Sequence, residues 1–232
     1  MQVYDSVSEI IGKTPLVRLK GFGENLYGKC EFLNPSHSIK DRAAYAMIKK
    51  ALDETHISKE TTIIECTSGN MGISLAMICA TLGLKIILTM PESMSIERRK
   101  MMALFGAKLE LTPASEGMKG AYERALALHK EIKNSFIPSQ FENLANKFAH
   151  RENTAVEILN DLDGKIDYFV AGFGTSGTIS GVGEVLKEKF ADKVKIIAVE
   201  PAASPLLSEG KAGGHKIQGI GANFIPKSLT KV

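Results

Sequence analysis

Apolar residues recur at Ala44, Met47, Ile48, Ala51 and Leu52. That i, i+3, i+4 spacing predicts an amphipathic helix. The turn-forming Asn34-Pro35-Ser36 precedes it and Ser38 is a plausible cap, so Lys40 falls in the first helical turn. Further on, strand-like and helix-like runs alternate. "TTIIECT" (61–67) is β-rich, "SGNMGISLAMICATLG" helical and "LKIILTMP" (84–91) β-rich again. "SIERRKMMALFGA" (95–107) predicts a helix ending at Gly106, followed by a strand in "KLELTP" (108–113) and a helix over 117–132. "KIDYFVAG" (165–172), the helix "ISGVGEVLKEKF" and "VKIIAVEP" (194–201) form a second strand–helix–strand unit. Such alternation argues for an α/β fold with mostly parallel sheets. The span 133–150, "KNSFIPSQFENLANKFAH", has no clear period and is read as a domain crossover.

Composition narrows the function class without choosing one. The 232 residues are 44% hydrophobic, and the net charge of +3 gives no ground for nucleic acid or an anionic membrane as partner. The longest uncharged stretch, Cys66 to Leu84, contains "TSGN" and reads as loop plus helix, not as a membrane span. The N-terminus "MQVYDSVSEI" lacks the apolar segment of a secretory signal. Three cysteines without C-x-x-C spacing and five scattered histidines suggest neither a disulfide framework nor a metal site. A reducing cytoplasm is the expected setting.

Candidate chemistry gathers in two strand-to-helix turns and one lysine. "GFGTSGTISG" (172–181) joins glycines to the hydroxyls of Thr175, Ser176 and Thr178, which suits the acceptor oxygens of a terminal phosphate at a helix start. The loop also matches G-x-G-x-x-G, with Glu200 where a dinucleotide fold places its ribose acid. The hydroxyls favour a phosphate monoester, and Pro201 constrains the chain beside Glu200. "TSGNMG" (67–72) offers Thr67, Ser68 and Asn70 to a carboxylate-sized anion; the plainer reading is helix capping by Ser68 or Asn70. A cation at a helix start opposes the helix dipole, so Lys40 is either solvated or a destabilised, nucleophilic amine. Lysine and two anion cradles together suggest pyridoxal phosphate acting on an amino acid.

Several long motifs in order strengthen this: "IGKTPLVRL", "NPSHSIKDR", "TSGNMGISLA", "TMPESMSIERRK", "SQFENLAN", "GTSGTISGVG" and "HKIQGIGANFIP". With them, nearly the whole chain resembles the cysteine synthase (O-acetylserine sulfhydrylase) family of fold-type-II pyridoxal-phosphate enzymes. The resemblance implies two three-layer α/β domains, tryptophan synthase β-like, with the C-terminal part of the larger one missing. The larger, cofactor-phosphate domain would span 1–34 and 147–232, and a smaller mobile domain 35–146. Lys40 would carry the Schiff base and act as the base. Asn70 would bond the ring oxygen, while Gly174, Thr175, Ser176, Gly177 and Thr178 hold the phosphate. Thr67, Ser68, the backbone at Met71, and Gln140 would meet the substrate carboxylate, with Gly219 of "GIGA" lining the mouth. The implied reaction is β-replacement, giving L-cysteine from O-acetyl-L-serine and sulfide through an aminoacrylate. The implied partners are a second copy in a homodimer and the C-terminal peptide of serine acetyltransferase.

Departures from the family pattern leave alternatives. Met71 replaces a usual threonine, Ser176 a common glycine, where it adds a donor, and Asn223 a usual glycine near the entrance. The sequence stops at Val232, where family members continue with the residue that contacts the pyridine nitrogen. A cystathionine β-synthase-like enzyme using homocysteine is one alternative. A truncated, non-catalytic module gripping the serine acetyltransferase tail is another.

Overall fold

The computed structural model describes residues 3–67 and 69–230. In chain order the strands are β1 (Leu16–Arg18), β2 (Tyr27–Lys29), β3 (Thr62–Cys66), β4 (Lys85–Pro91), β5 (Lys108–Thr112), β6 (Ser135–Phe136), β7 (Tyr168–Gly172) and β8 (Lys195–Val199). The helices are α1 (Lys40–Asp53), α2 (Asn70–Leu82), α3 (Ile96–Leu104), α4 (Gly117–Glu131), α5 (Leu144–Ala149), α6 (Ala155–Asp161), α7 (Gly177–Phe190) and α8 (Leu206–Glu209). They fall in two compact units. Unit 1 runs up to Ile11 and again over Ser38–Ser139; unit 2 takes Gly12–His37 and everything from Gln140 onward. This division departs from the sequence-based boundaries in three places, the first being a switch between units at 37/38 in place of 34/35. The opening residues join the middle of the chain, and the crossover falls at 139/140.

Unit 1 is built on a four-stranded parallel sheet in the order β5-β4-β3-β6. The chain steps from β3 to β4 to β5 in one direction, then jumps back over both to β6. With right-handed crossovers that reversal puts α2 and α3 on one face and α4 on the other. Ile64 and Ile87 pack under Ala125 and Leu128 of α4. Their neighbours Ile63 and Leu88 point the opposite way and are equally enclosed. Burial on both faces explains why β4 reads as an apolar run, broken only by Thr89, whose hydroxyl donates to Ala121 O at 2.7 Å. In α1, Ala44, Met47, Ile48 and Ala51 are buried, while Lys49–Asp53 (2.7 Å) and Lys50–Glu54 (2.5 Å) pair on the solvent face. Gly83 ends α2 at φ 69°, a left-handed conformation that glycine adopts without strain.

Unit 2 holds the antiparallel pair β1–β2 and the parallel pair β7–β8, the latter joined through α7. One face of the β7–β8 pair carries Phe169 and Ile196 onto a core of Ala155, Ile158, Val182, Leu186 and Val194. The other carries Tyr168, Val170, Ile197 and Val199, which are exposed. The helix α5 passes through a π turn at His150–Thr154, where Ala155 N–H donates to His150 O, and continues as α6. Asn143 caps its start by accepting from Ala145 N–H at 3.0 Å. The segment read as an irregular crossover thus holds a short strand, β6, and the start of this helix.

Candidate functional site

In unit 1, Lys40 is the first residue of α1. Its N–H donates to Ser38 Oγ at 3.1 Å, so Ser38 caps the helix from two residues back. The residue is half-buried, and burial around its amine pushes the pKa down from 10.5 to about 8. The cause is loss of hydration on burial, and its neighbours Asp41 and Arg42 are enclosed as well. An ammonium removed from water loses its solvation, so the neutral amine becomes accessible near physiological pH.

The helix α2 starts at Asn70, which is exposed; Met71 is buried. The N-cap is Gly69, with no side-chain cap, so Asn70 does not act as one. At this end the N–H groups of Asn70 and Met71 precede any intrahelical acceptor. What position 71 offers outward is its N–H, because the Met71 side chain lies in the core. Thr67 is buried and its Oγ1 accepts from Gly69 N–H at 3.4 Å. Ser68 lies outside the described residues. A Cβ on Gly69 would stand 3.7 Å from Arg98 Nη1, so a guanidinium adds positive charge to this helix start. Nothing in "SIERRK" marks which arginine turns toward the loop.

Unit 2 brings Gln140, the 172–178 loop and the 219–221 segment together. Gly221 N–H donates to Phe173 O at 2.7 Å, laying "GIGA" along the loop. Gly174 must be glycine, since a Cβ there would stand 2.5 Å from Gly219 O. Gly219 itself sits at φ 87°. Gly177, the first residue of α7, abuts Asn146 Oδ1 so closely that any Cβ would overlap it. Gln140 is buried, and its carbonyl accepts from Asn146 Nδ2 at 2.9 Å. The same nitrogen donates to Thr175 Oγ1 at 3.1 Å. Thr178 Oγ1 lies 3.3 Å from Nε2 of the buried His150.

Ser176 departs from its expected role as an added phosphate donor. It sits at φ 65°, the left-handed region that favours glycine. Its Oγ is 2.8 Å from Ser228 Oγ, and the Ser228 hydroxyl donates to Thr175 O at 3.0 Å. A hydroxyl has one proton. Ser228 gives its proton to the carbonyl, so Ser176 must donate to Ser228. Neither Ser228 nor Asn146 is legible in sequence, because each acts on residues about thirty to fifty positions away.

Glu200 is not available to a ribose. Burial opposes its ionisation, but the N–H groups of Leu207 (2.7 Å) and Ser208 (3.0 Å) and the Ser208 hydroxyl (2.7 Å) outweigh it and hold the carboxyl below the usual range. It caps α8. Asn223 Oδ1 likewise accepts from Ser204 Oγ at 3.3 Å, tying down the loop it belongs to.

These residues fit pyridoxal phosphate on their own chemistry. At the start of α7 neither Gly174 nor Gly177 admits a Cβ, so the backbone there carries no side chain, and Thr175 has a hydroxyl proton with no acceptor among the described residues. A lysine amine with a lowered pKa is present in the other unit.

A family model for "Pyridoxal-phosphate dependent enzyme" matches residues 7–231. The chain is 68% identical over 231 residues to cysteine synthase B of Campylobacter jejuni, spanning 100% of this chain and 77% of that protein. It is similar to the crystal structure of a cysteine synthase from Entamoeba histolytica, with a TM-score of 0.93 at 42% identity, covering 99% of this chain and 70% of the other. It is also similar to an O-acetylserine dependent cystathionine beta-synthase from Helicobacter pylori, with a TM-score of 0.89 at 37% identity, covering 98% and 76%.

Proposed function

This chain belongs to the pyridoxal-phosphate dependent enzyme family, and from that premise we propose that it forms L-cysteine from O-acetyl-L-serine and sulfide by β-replacement. The observation that carries the reading is Lys40, an amine that burial brings to a pKa of about 8 at the start of α1. When bound, pyridoxal phosphate supplies an electron sink that stabilises negative charge at the α-carbon of an amino acid.

The protein's own residues do the rest. Thr175, Thr178 and the backbone of Gly174, Ser176 and Gly177 hold the phosphate, and Asn70 bonds the ring oxygen. Thr67, Ser68, the N–H of Met71, and Gln140 orient the substrate carboxylate, and Gly219 lines the entrance. Lys40 would hold the cofactor through its aldehyde, and its neutral amine would take the α-proton at Nζ and later return it, a role that requires a pKa near the working pH. At about 8, a substantial fraction of the amine is neutral at pH 7 to 8, against a negligible one at the ordinary value.

The 68% identical relative carries the name of a cysteine synthase and the 37% identical structure that of a cystathionine beta-synthase. The higher identity supports sulfide over homocysteine as acceptor. A homodimer, a serine acetyltransferase C-terminal peptide as ligand and a cytoplasmic setting belong to the same reading, and family membership is their support. Among the described residues no helix is long and apolar enough to cross a membrane.

The test is the visible spectrum of the purified chain loaded with pyridoxal phosphate, before and after O-acetylserine, followed by cysteine formation on adding sulfide. The expected result is a band that Lys40→Ala abolishes, that shifts with O-acetylserine and that returns as sulfide is consumed. A chain that stays colourless with added cofactor would overturn the proposal. Turnover with homocysteine but not sulfide would replace it with cystathionine formation.

A further inference from the structure

The amide of Asn146 is 1% exposed and has both of its protons assigned. Gln140 O is a carbonyl and can only accept, so it is the nitrogen of Asn146 that faces it, at 2.9 Å. The second N–H then points at Thr175 Oγ1, 3.1 Å away. This leaves Thr175 as acceptor on its inner side, with its own proton directed elsewhere. Thr175 is buried, and that proton has no acceptor among the described residues. Asn146 Oδ1 is also buried without a partner and packs against Gly177 at the first turn of α7. A buried hydroxyl without an acceptor is costly. A phosphate oxygen at the head of α7 would satisfy it.

We propose that Asn146 is a positioning residue for the cofactor, presenting the Thr175 hydroxyl as a hydrogen-bond donor to the phosphate. The inference rests on the pyridoxal-phosphate reading above and adds to it a residue that touches no substrate. Without Asn146, the Thr175 hydroxyl is free to turn inward and donate to Gln140 O or to trapped water. With aspartate in its place the effect is stronger. A carboxylate only accepts, so it draws the Thr175 proton inward and places negative charge beside the phosphate.

The experiment titrates the full chain with pyridoxal 5'-phosphate and, separately, with pyridoxal, which lacks the phosphate, following the visible band in each case. Asn146→Ala is expected to weaken pyridoxal phosphate binding about ten-fold, the worth of one buried hydrogen bond, and Asn146→Asp by more. Pyridoxal binding should change less than about two-fold in Asn146→Ala. Thr175→Val, which keeps Asn146, should give the same selective loss. Asn146→Ala added to Thr175→Val should then weaken binding less than about two-fold further, because the two act through one contact. Equal weakening of both ligands would mean that Asn146 only supports the fold, and overturns the inference. So would Thr175→Val binding pyridoxal phosphate as tightly as the unmodified chain, a result that stands even if the Asn146 variants fail to fold. Failure of the unmodified chain to take up pyridoxal phosphate would overturn the proposed function, and this inference with it.

Discussion

Replacing Lys40 by methionine should stabilise the cofactor-free protein. The substitution keeps an unbranched side chain out to Cε and removes the ammonium that burial penalises. The gap between 10.5 and about 8, at about 1.4 kcal/mol per tenfold change in proton affinity, corresponds to about 3 kcal/mol. That is a sizeable share of the total stability of a domain. The sign fixes the pH window. Above 10.5 the amine is neutral in folded and unfolded chains, and there is no penalty. Between 10.5 and 8 the unfolded chain holds a proton that the folded one has released, so stability falls as pH falls. Below 8 the folded chain is protonated too, and the full penalty remains. Urea denaturation of the unmodified chain and Lys40→Met at pH 7 and pH 10 reads this directly. The variant should gain up to about 3 kcal/mol at pH 7 and a smaller margin at pH 10. A variant that is less stable at pH 7, with an unchanged dependence on pH, would refute the account of Lys40 as a strained amine. A nucleophile held at the expense of stability is a common trade in active sites.

Two further outcomes follow from the glycine loop. Gly174→Ala should destabilise unit 2 by about 2 kcal/mol or more, because the new Cβ meets the backbone oxygen of Gly219 at 2.5 Å; a denaturant midpoint equal to that of the unmodified chain would refute the close packing of 219–221 on this loop. Ser228→Ala should cost about 2 kcal/mol by leaving Thr175 O and Ser176 Oγ unpaired. Ser176→Gly in that background should recover about half of it, since glycine accepts φ 65° without strain and removes the stranded hydroxyl. Additive losses in the double variant would show that the two serines do not act together.

The elements that were legible in sequence are those whose burial follows a local period. α1 shows its face at Ala44, Met47, Ile48 and Ala51, and β4 shows its double-sided burial as an apolar run. The end of α3 at Gly106 was equally readable, because φ 82° there needs a glycine. What escaped has no local period. β6 is two residues long and exists only through its pairing with β3. The hairpin β1–β2 has three residues per strand and much exposed surface. At the candidate site, the glycine turns and Lys40 stand out by residue type. Asn146 and Ser228 are ordinary polar residues whose roles depend on partners brought close by folding. The dinucleotide alternative, already disfavoured by the loop hydroxyls, finds no support at Glu200, whose carboxylate is held by groups on the turn that follows.

The π turn at His150–Thr154 sets what lengths of chain this protein can tolerate. Before it Asn146 faces Thr175, and at its first residue His150 faces Thr178; after it, Ala155 and Ile158 face the core, while Glu157 pairs with Lys29 at 2.9 Å. A regular α-helix advances about 100° per residue. Deleting one residue from the wide turn would therefore restore ideal helical hydrogen bonding and turn everything after it by that angle. Ile158 would leave its neighbours and Glu157 its lysine. Across relatives of this chain, substitutions within 150–154 should be common enough, but a shortening by one residue there should occur only with a compensating insertion before Ala155.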